Sequence, residues 1–200
     1  MEGLREDLIQ GFIEAAEAAG ILSQVEEAEA ASVLGEMEAP EAAAVLVEMD
    51  EGNHPVAGIF AAMDNSTAAG LLREMNERTA ARLLDYMEAD TAAGIIAEMD
   101  ADIAAGILIE MDSTEVAGIL GAMEAAEAAA VLTEMDEGIA VGVVNDMEPS
   151  LATNILAAMQ ESTAAGIFVA MEESTAAGFL DDMEAYNAAA IIAEIAESIA

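Results

Sequence analysis

Ser162 to Met183 reads STAAGIFVAMEESTAAGFLDDM, one phrase stated twice at a spacing of 12 residues. Working outward from it, Met recurs at 37 and 49 and then every 12 residues from 63 to 183, with the step from Met49 to Met63, at 14, the one irregularity. Val25 and Ile195 extend the ladder at either end, giving 15 repeats. A fixed short period of this kind marks an array of one small structural unit, and everything else in the chain is read against it.

With the ladder residue numbered slot 12, the consensus from slot 1 is D/E-x-S-T-A-A-G-I-L-A-E-M. On a wheel turning about 100° per residue, slots 5, 8, 9 and 12 fall within about 100° of one another and make one apolar stripe. Ala104, Ile107, Leu108 and Met111 are one instance. A continuous helix is excluded, because 12 residues carry a net rotation of about 120° and successive stripes would point in three directions. The chain must therefore break between repeats. Slots 1 to 3, where Asp, Glu, Ser and Thr cluster, are the expected place, since these side chains cap the free N–H groups of the next helix. Pro149, Pro40 and Pro55 at slots 2, 3 and 4 suit a first helical turn, where a missing N–H costs nothing. The expectation is an all-α solenoid of about 15 short helices, divided into a varied N-terminal part, residues 1–52, and a uniform array, residues 53–200. Helices of about 8 or 9 residues do not survive alone, so neighbours must stabilise one another.

Composition narrows the function. The chain holds 41 acids against four Arg and no Lys, a net charge of −37, which repels a nucleic-acid backbone or an anionic membrane surface. Hydrophobic residues make up 56%, too many for an acidic disordered tail. Cys is absent and His54 is the sole His, which removes thiolate chemistry and most general-base and zinc chemistry. No nucleophile–base pair or phosphate-cradling Gly loop appears, and the reading is that the chain is not an enzyme. The start, MEGLREDLIQGFIEAAEAAG, lacks the layout of a secretory signal, and no apolar run approaches the roughly 20 residues a spanning helix needs. The compartment stays open, with the cytoplasm favoured and no membrane insertion expected.

Residues 80–111, AARLLDYMEADTAAGIIAEMDADIAAGILIEM, resemble the N-terminal cytosolic domain of MgtE-type magnesium transporters and, more distantly, the helical repeats of the flagellar motor protein FliG. The resemblance covers nearly all of the chain from about Ala15 onward. It implies a right-handed superhelix of short α-helices whose acidic surface contributes to magnesium sensing.

Two sets of residues are candidates for function. Slots 11 and 1 place acids on both sides of the ladder residue, as in Glu98 and Asp100, Glu110 and Asp112, and Glu134 and Asp136. The slot-1 acid suits the positive end of the following helix, whereas the slot-11 acid sits near a helix C-terminus, where negative charge is disfavoured. One reading is a ladder of weak Mg²⁺ or Ca²⁺ sites built from oxygen ligands; the other is a solvated face that keeps an apolar array soluble. No resident cofactor is expected beyond such weakly held ions. The second set is Gly at slot 7, including Gly94, Gly106, Gly118, Gly142, Gly166 and Gly178. Gly costs about 1 kcal/mol in a helix interior, so something must compensate. With Ala beside it at slot 6, the strip fits either a neighbouring helix of the same superhelix or a second copy.

The remaining residues read more simply. The ladder Met residues and Phe12, Phe60, Phe168 and Phe179 read as packing, and Tyr86 and Tyr186 as surface. His54 belongs to a turn in the irregular step, and Arg73, Arg78 and Arg82 form the one local relief from negative charge, a candidate docking point for an acidic surface. Ala196 to Ala200 stop early in a further repeat, which leads to the expectation that the array continues or that another copy stacks there. The leading functional expectation is a scaffolding repeat protein that self-associates into an elongated or filamentous assembly. The alternative is a cation-responsive sensory domain, and a peptide-binding groove stands third.

Overall fold

Each repeat makes one helix. A computed structural model describes residues 14–51 and 56–199, and among these every regular element is an α-helix. The chain divides into two compact units between Glu98 and Met99. The first holds α1 (residues 14–22), α2 (Glu27–Gly35), α3 (Ala39–Glu51), α4 (Val56–Ala62), α5 (Asn65–Arg73), α6 (Glu77–Asp85) and α7 (Ala89–Ile96). The second holds α8 (Ala101–Leu108), α9 (Ser113–Gly121), α10 (Ala125–Thr133), α11 (Glu137–Asp146), α12 (Pro149–Ala158), α13 (Glu161–Ala170), α14 (Glu173–Asp182) and α15 (Ala185–Ile199). The expected short helices and their repeat are present. His54, Pro55 and Phe12 lie outside the described residues.

The break falls earlier than the sequence reading placed it. Helices begin at slot 2, slot 1 is the N-cap in an extended conformation, and the reversal occupies the stretch from slot 10 to slot 1. Slots 2 and 3 are helical. At α11 to α14 the turn is tightest: Met147, Met159, Met171 and Met183 are themselves extended C-caps, and the next residue is already an N-cap. Two successive extended residues reverse the chain without any left-handed backbone. The ladder Met marks this corner, with its N–H commonly donated to the slot-9 carbonyl, as from Met111 to Leu108 at 3.0 Å. The slot-1 carbonyl accepts the first helical bond, as from Ala104 to Asp100 at 2.9 Å. Backbone groups on both sides of the corner are thereby satisfied.

Side-chain capping is rarer than expected. Asp64 accepts from the Thr67 N–H and Asn76 from the Thr79 N–H, each at 3.0 Å. The slot-1 acids Glu88, Asp100, Asp112, Glu124 and Asp136 occupy the N-cap without making that bond. Their benefit is the favourable charge at a helix N-terminus. Ser66 and Thr67 are first-turn residues that donate to Asp64, not caps themselves.

The core is wider than the stripe read from the sequence. Slots 5, 6, 8 and 9 are buried together, as Ala68, Ala69, Leu71 and Leu72 in α5 and Ala104, Ala105, Ile107 and Leu108 in α8. Slot 6 is core and not part of a second, outer face. The reason is that each helix is covered from two directions. Within each unit the densest packing is between a helix and the one two further along, α2 with α4 and α5 with α7 in the first, α9 with α11 and α11 with α13 in the second. Helices three apart also come close: a Cβ added to Gly35 would stand 3.8 Å from Thr67 Cγ2 in the first unit, and one added to Gly121 3.1 Å from Leu151 Cδ1 in the second. The described ladder Met residues are half-buried or buried, with Met49 wholly enclosed, and Phe60, Phe168 and Phe179 are core. Tyr86 and Tyr186 are exposed, as expected for surface residues.

Candidate functional site

The helix-to-helix contact repeats as a seam. On the wheel, slots 2, 6 and 9 fall on one side of a helix and slots 7, 8 and 11 on the other. The first side faces the helix two ahead, and the second faces the helix two behind. Slot 2 of one helix therefore lies over slots 7 and 11 of the helix two further on. The Glu27 carboxylate lies against Gly58, Asn65 Nδ2 stands 2.6 Å from where a Cβ on Gly94 would be, and Glu137 Oε1 stands 2.7 Å from the same point on Gly166. At the same seam the Ser113 hydroxyl donates to the Asp146 carboxylate at slot 11, while Arg82 of α6 pairs with Asp50 of α3, three helices back.

Of the slot-7 glycines read as a candidate association strip, Gly94 and Gly166 thus receive a side chain of their own chain. A Cβ added to Gly142 or Gly178 would have nothing within 4 Å, and the same holds at Gly20 and Gly70. Gly118 is exposed and Gly106 half-buried.

The acidic candidates sit at the corners. Asp100, Asp112 and Asp136 are N-caps of α8, α9 and α11; Glu134 is the C-cap of α10, and Glu98 and Glu110 each follow a C-cap. All six are exposed. Among the described residues no group of three or more acidic or His side chains converges on a point where a metal ion could be held. The arrangement offers pairs of carboxylates at successive corners, suited to attracting cations diffusely and not to caging one.

In the second unit clefts open at these corners. One, of 670 Å³, is lined by the polar Asp136, Glu137, Ser162 and Thr163 together with the apolar Leu132, Met135 and Ile167. Another, of 290 Å³, is lined by Glu134 and Gln160 with Ala129, Ala130 and Met159. Glu137, Ser162 and Thr163 were not picked out by sequence reasoning, because their proximity depends on packing between helices two apart. The slot-2 acid was the one available signal.

Among the acids, Asp64 has a clear electrostatic signature. Hydrogen bonds from the Ser66 hydroxyl, the Thr67 N–H and the Thr67 hydroxyl stabilise its charged form and lower its pKa from 3.8 to about 2. This is a cap, set on the surface at the start of α5.

The sequence profile of the MgtE intracellular N domain matches residues 13–105, 52–132 and 123–200. The chain belongs to the MgtE intracellular N domain family. The three matched segments overlap and run through both units, so the membership covers the whole described array of this MgtE N domain. No curated protein and no solved structure matches the chain. Among the described residues no helix is long and apolar enough to cross a membrane.

Proposed function

We propose that this MgtE N domain is an intracellular, cation-responsive regulatory module with no catalytic step of its own. The observation that carries the reading is the placement of exposed acids at successive interhelix corners of a chain with net charge −37. Spread over 15 repeats, that is roughly −2.5 per repeat on helices packed about 8–10 Å apart, close to the Debye length of about 8 Å at physiological ionic strength. Repulsion between corners is only partly screened, and it opposes the packing that holds the array together. Divalent cations relieve it with fewer ions than monovalent ones, so Mg²⁺ or Ca²⁺ acts by tightening the array, without a coordination cage. Melting in MgCl₂, CaCl₂ and NaCl at matched ionic strength tests this. A larger rise with the divalent salts supports the reading, and equal rises reduce the effect to plain screening and refute it.

A second reading, an assembly of copies, rests on the uniformity of the repeats, since identical faces repeated along an array invite identical contacts.

A further inference from the structure

Helices three apart approach one another in a fixed register. Gly35 and Gly121 stand at slot 10, and a Cβ on either would approach Thr67 or Leu151, each at slot 4 of the helix three further on. In the second unit this register gives three successive pairs of positions: Ile109 with Ile139 for α8 and α11, Gly121 with Leu151 for α9 and α12, and Thr133 with Thr163 for α10 and α13. The first two pairs carry apolar side chains open to solvent, Ile109 at 45%, Ile139 at 39% and Leu151 at 36% exposure. The third pair lines the 670 Å³ cleft, together with Asp136 and Glu137. Strip and cleft are continuous, because Ile139 sits between Gly138 and Ala140, both of which line the cleft. Both members of every pair belong to the same compact unit, and none lies on the first or last described helices.

Strip and cleft together call for a partner with two properties. Neighbouring apolar side chains left open beside polar groups favour burial against another apolar surface. The carboxylates call for positive charge, which their own unit cannot supply: Met99–Ala200 includes 20 Asp and Glu and no Arg, Lys or His. The Asp136 side chain makes no cap bond, and the Glu137 carboxylate is given its place by a glycine, since a Cβ on Gly166 would stand 2.7 Å from Glu137 Oε1. We propose that this surface docks a basic amphipathic segment of a partner protein, its apolar side chains on Ile109, Ile139 and Leu151 and an Arg in the cleft against Asp136 and Glu137. Arg suits the cleft better than Lys, because its planar fork donates to several acceptors at once, the Ser162 and Thr163 hydroxyls included. A nucleic acid or an anionic membrane surface is repelled by the same charge. The contact is part charge and part apolar, so added salt weakens it without abolishing it. The proposal goes beyond the divalent response, which concerns the stability of the array and not what the array holds.

The test is fluorescence anisotropy of a labelled peptide alternating Arg and Leu, titrated with the full chain at physiological ionic strength, beside peptides alternating Gln and Leu or Arg and Gly. The Arg-Leu peptide is expected to bind saturably, and each of the others about tenfold more weakly or worse. Glu137→Gln, Ser162→Arg and Ile139→Ala are each expected to weaken the Arg-Leu peptide by roughly fivefold or more. Glu115→Gln makes the same change in net charge as Glu137→Gln and Ser162→Arg but lies outside strip and cleft, and it is expected to leave binding within about twofold. All four changes are at exposed positions, and circular dichroism of each variant checks that the helices are kept. Equal weakening by Glu115→Gln and Glu137→Gln would reduce the attraction to net charge and overturn the proposal. An Arg-Gly peptide that binds as tightly as Arg-Leu, an Ile139→Ala variant that binds like the wild type, or the absence of saturable binding would overturn it as well. The melting response to MgCl₂ is read on the chain without peptide, so the regulatory reading stands or falls separately.

Discussion

Replacing Gly70, Gly142 and Gly178 by Ala should stabilise the protein. All three lie in helix interiors, none has left-handed backbone, and a Cβ added to any of them meets nothing within 4 Å. The change then acts chiefly through the unfolded chain, which loses freedom that the folded chain does not use, at about 0.4–1 kcal/mol per site. The three sites are far enough apart in the repeat for their effects to add, giving about 1–3 kcal/mol. In a chain of this length each kcal/mol moves the midpoint by about 2–4 °C, so the triple variant should melt roughly 2–12 °C higher. Gly166→Ala is the internal control. Its new methyl group would stand 2.7 Å from Glu137 Oε1, so the flexible carboxylate has to turn aside and most of the gain is forfeited. Far-UV circular dichroism melts at low protein concentration, with urea midpoints alongside, measure both. A fall in stability at Gly142 or Gly178 would refute the reasoning, because it would mean that something covers those positions after all.

Leu108→Ala should cost about 2–5 kcal/mol, since Leu108 is wholly enclosed between helices, whereas Ile109→Ala next to it should change stability by less than about 0.5 kcal/mol, its side chain being on the surface; urea unfolding of the pair reads the contrast. Asp64→Ala should destabilise in a pH-dependent way. The folded carboxyl titrates at about 2 against an ordinary 3.8, so its contribution is complete above 3.8 and vanishes as pH falls through about 2. The difference in urea midpoint between wild type and variant should therefore shrink over that window. Stability of the wild type should rise between low and molar NaCl, and an unchanged melting temperature would contradict the repulsion argued from the net charge.

The repeat was legible because Met, Ala and Leu recur at fixed slots, and the need for a fold-back followed from the rotation that 12 residues impose. Periodicity reports which side of a helix is apolar, but not which neighbour covers it. For that reason slot 6 looked like part of an outer face until packing between helices two apart put Ala69 and Ala105 in the core. The same gap hid the partner of Gly94, which is Asn65, 29 positions earlier. The corner was misplaced by two or three residues because Ser and Thr in a first turn have the same composition as Ser and Thr in a cap. Thr67 and Thr79 supply backbone N–H groups to the cap where their side chains suggested the opposite role.

The seam gives one slot-11 acid, Asp146, a partner that offsets the unfavourable helix dipole. Slot 11 lies under slot 2 of the helix two behind, and most of these pairs hold at most one acid. Where slot 2 is Glu27 or Glu137, slot 11 two repeats on is Ala62 or Ala170. Where slot 2 is Ala39, Ala101, Ser113 or Pro149, slot 11 is Glu74, Glu134, Asp146 or Asp182. Ser113 goes further and donates its hydroxyl to Asp146. Across the 13 slot-2 and slot-11 pairs of the sequence, four acids at slot 2 and eight at slot 11 would meet about twice by chance, and they meet twice, so the pairing shows no selection against like charge. Within the second unit, Glu161 and Glu194 form a pair in which both positions are acidic. Repulsion is small within the seams that hold a single carboxylate and remains between successive corners, which is where added cations have charge left to screen.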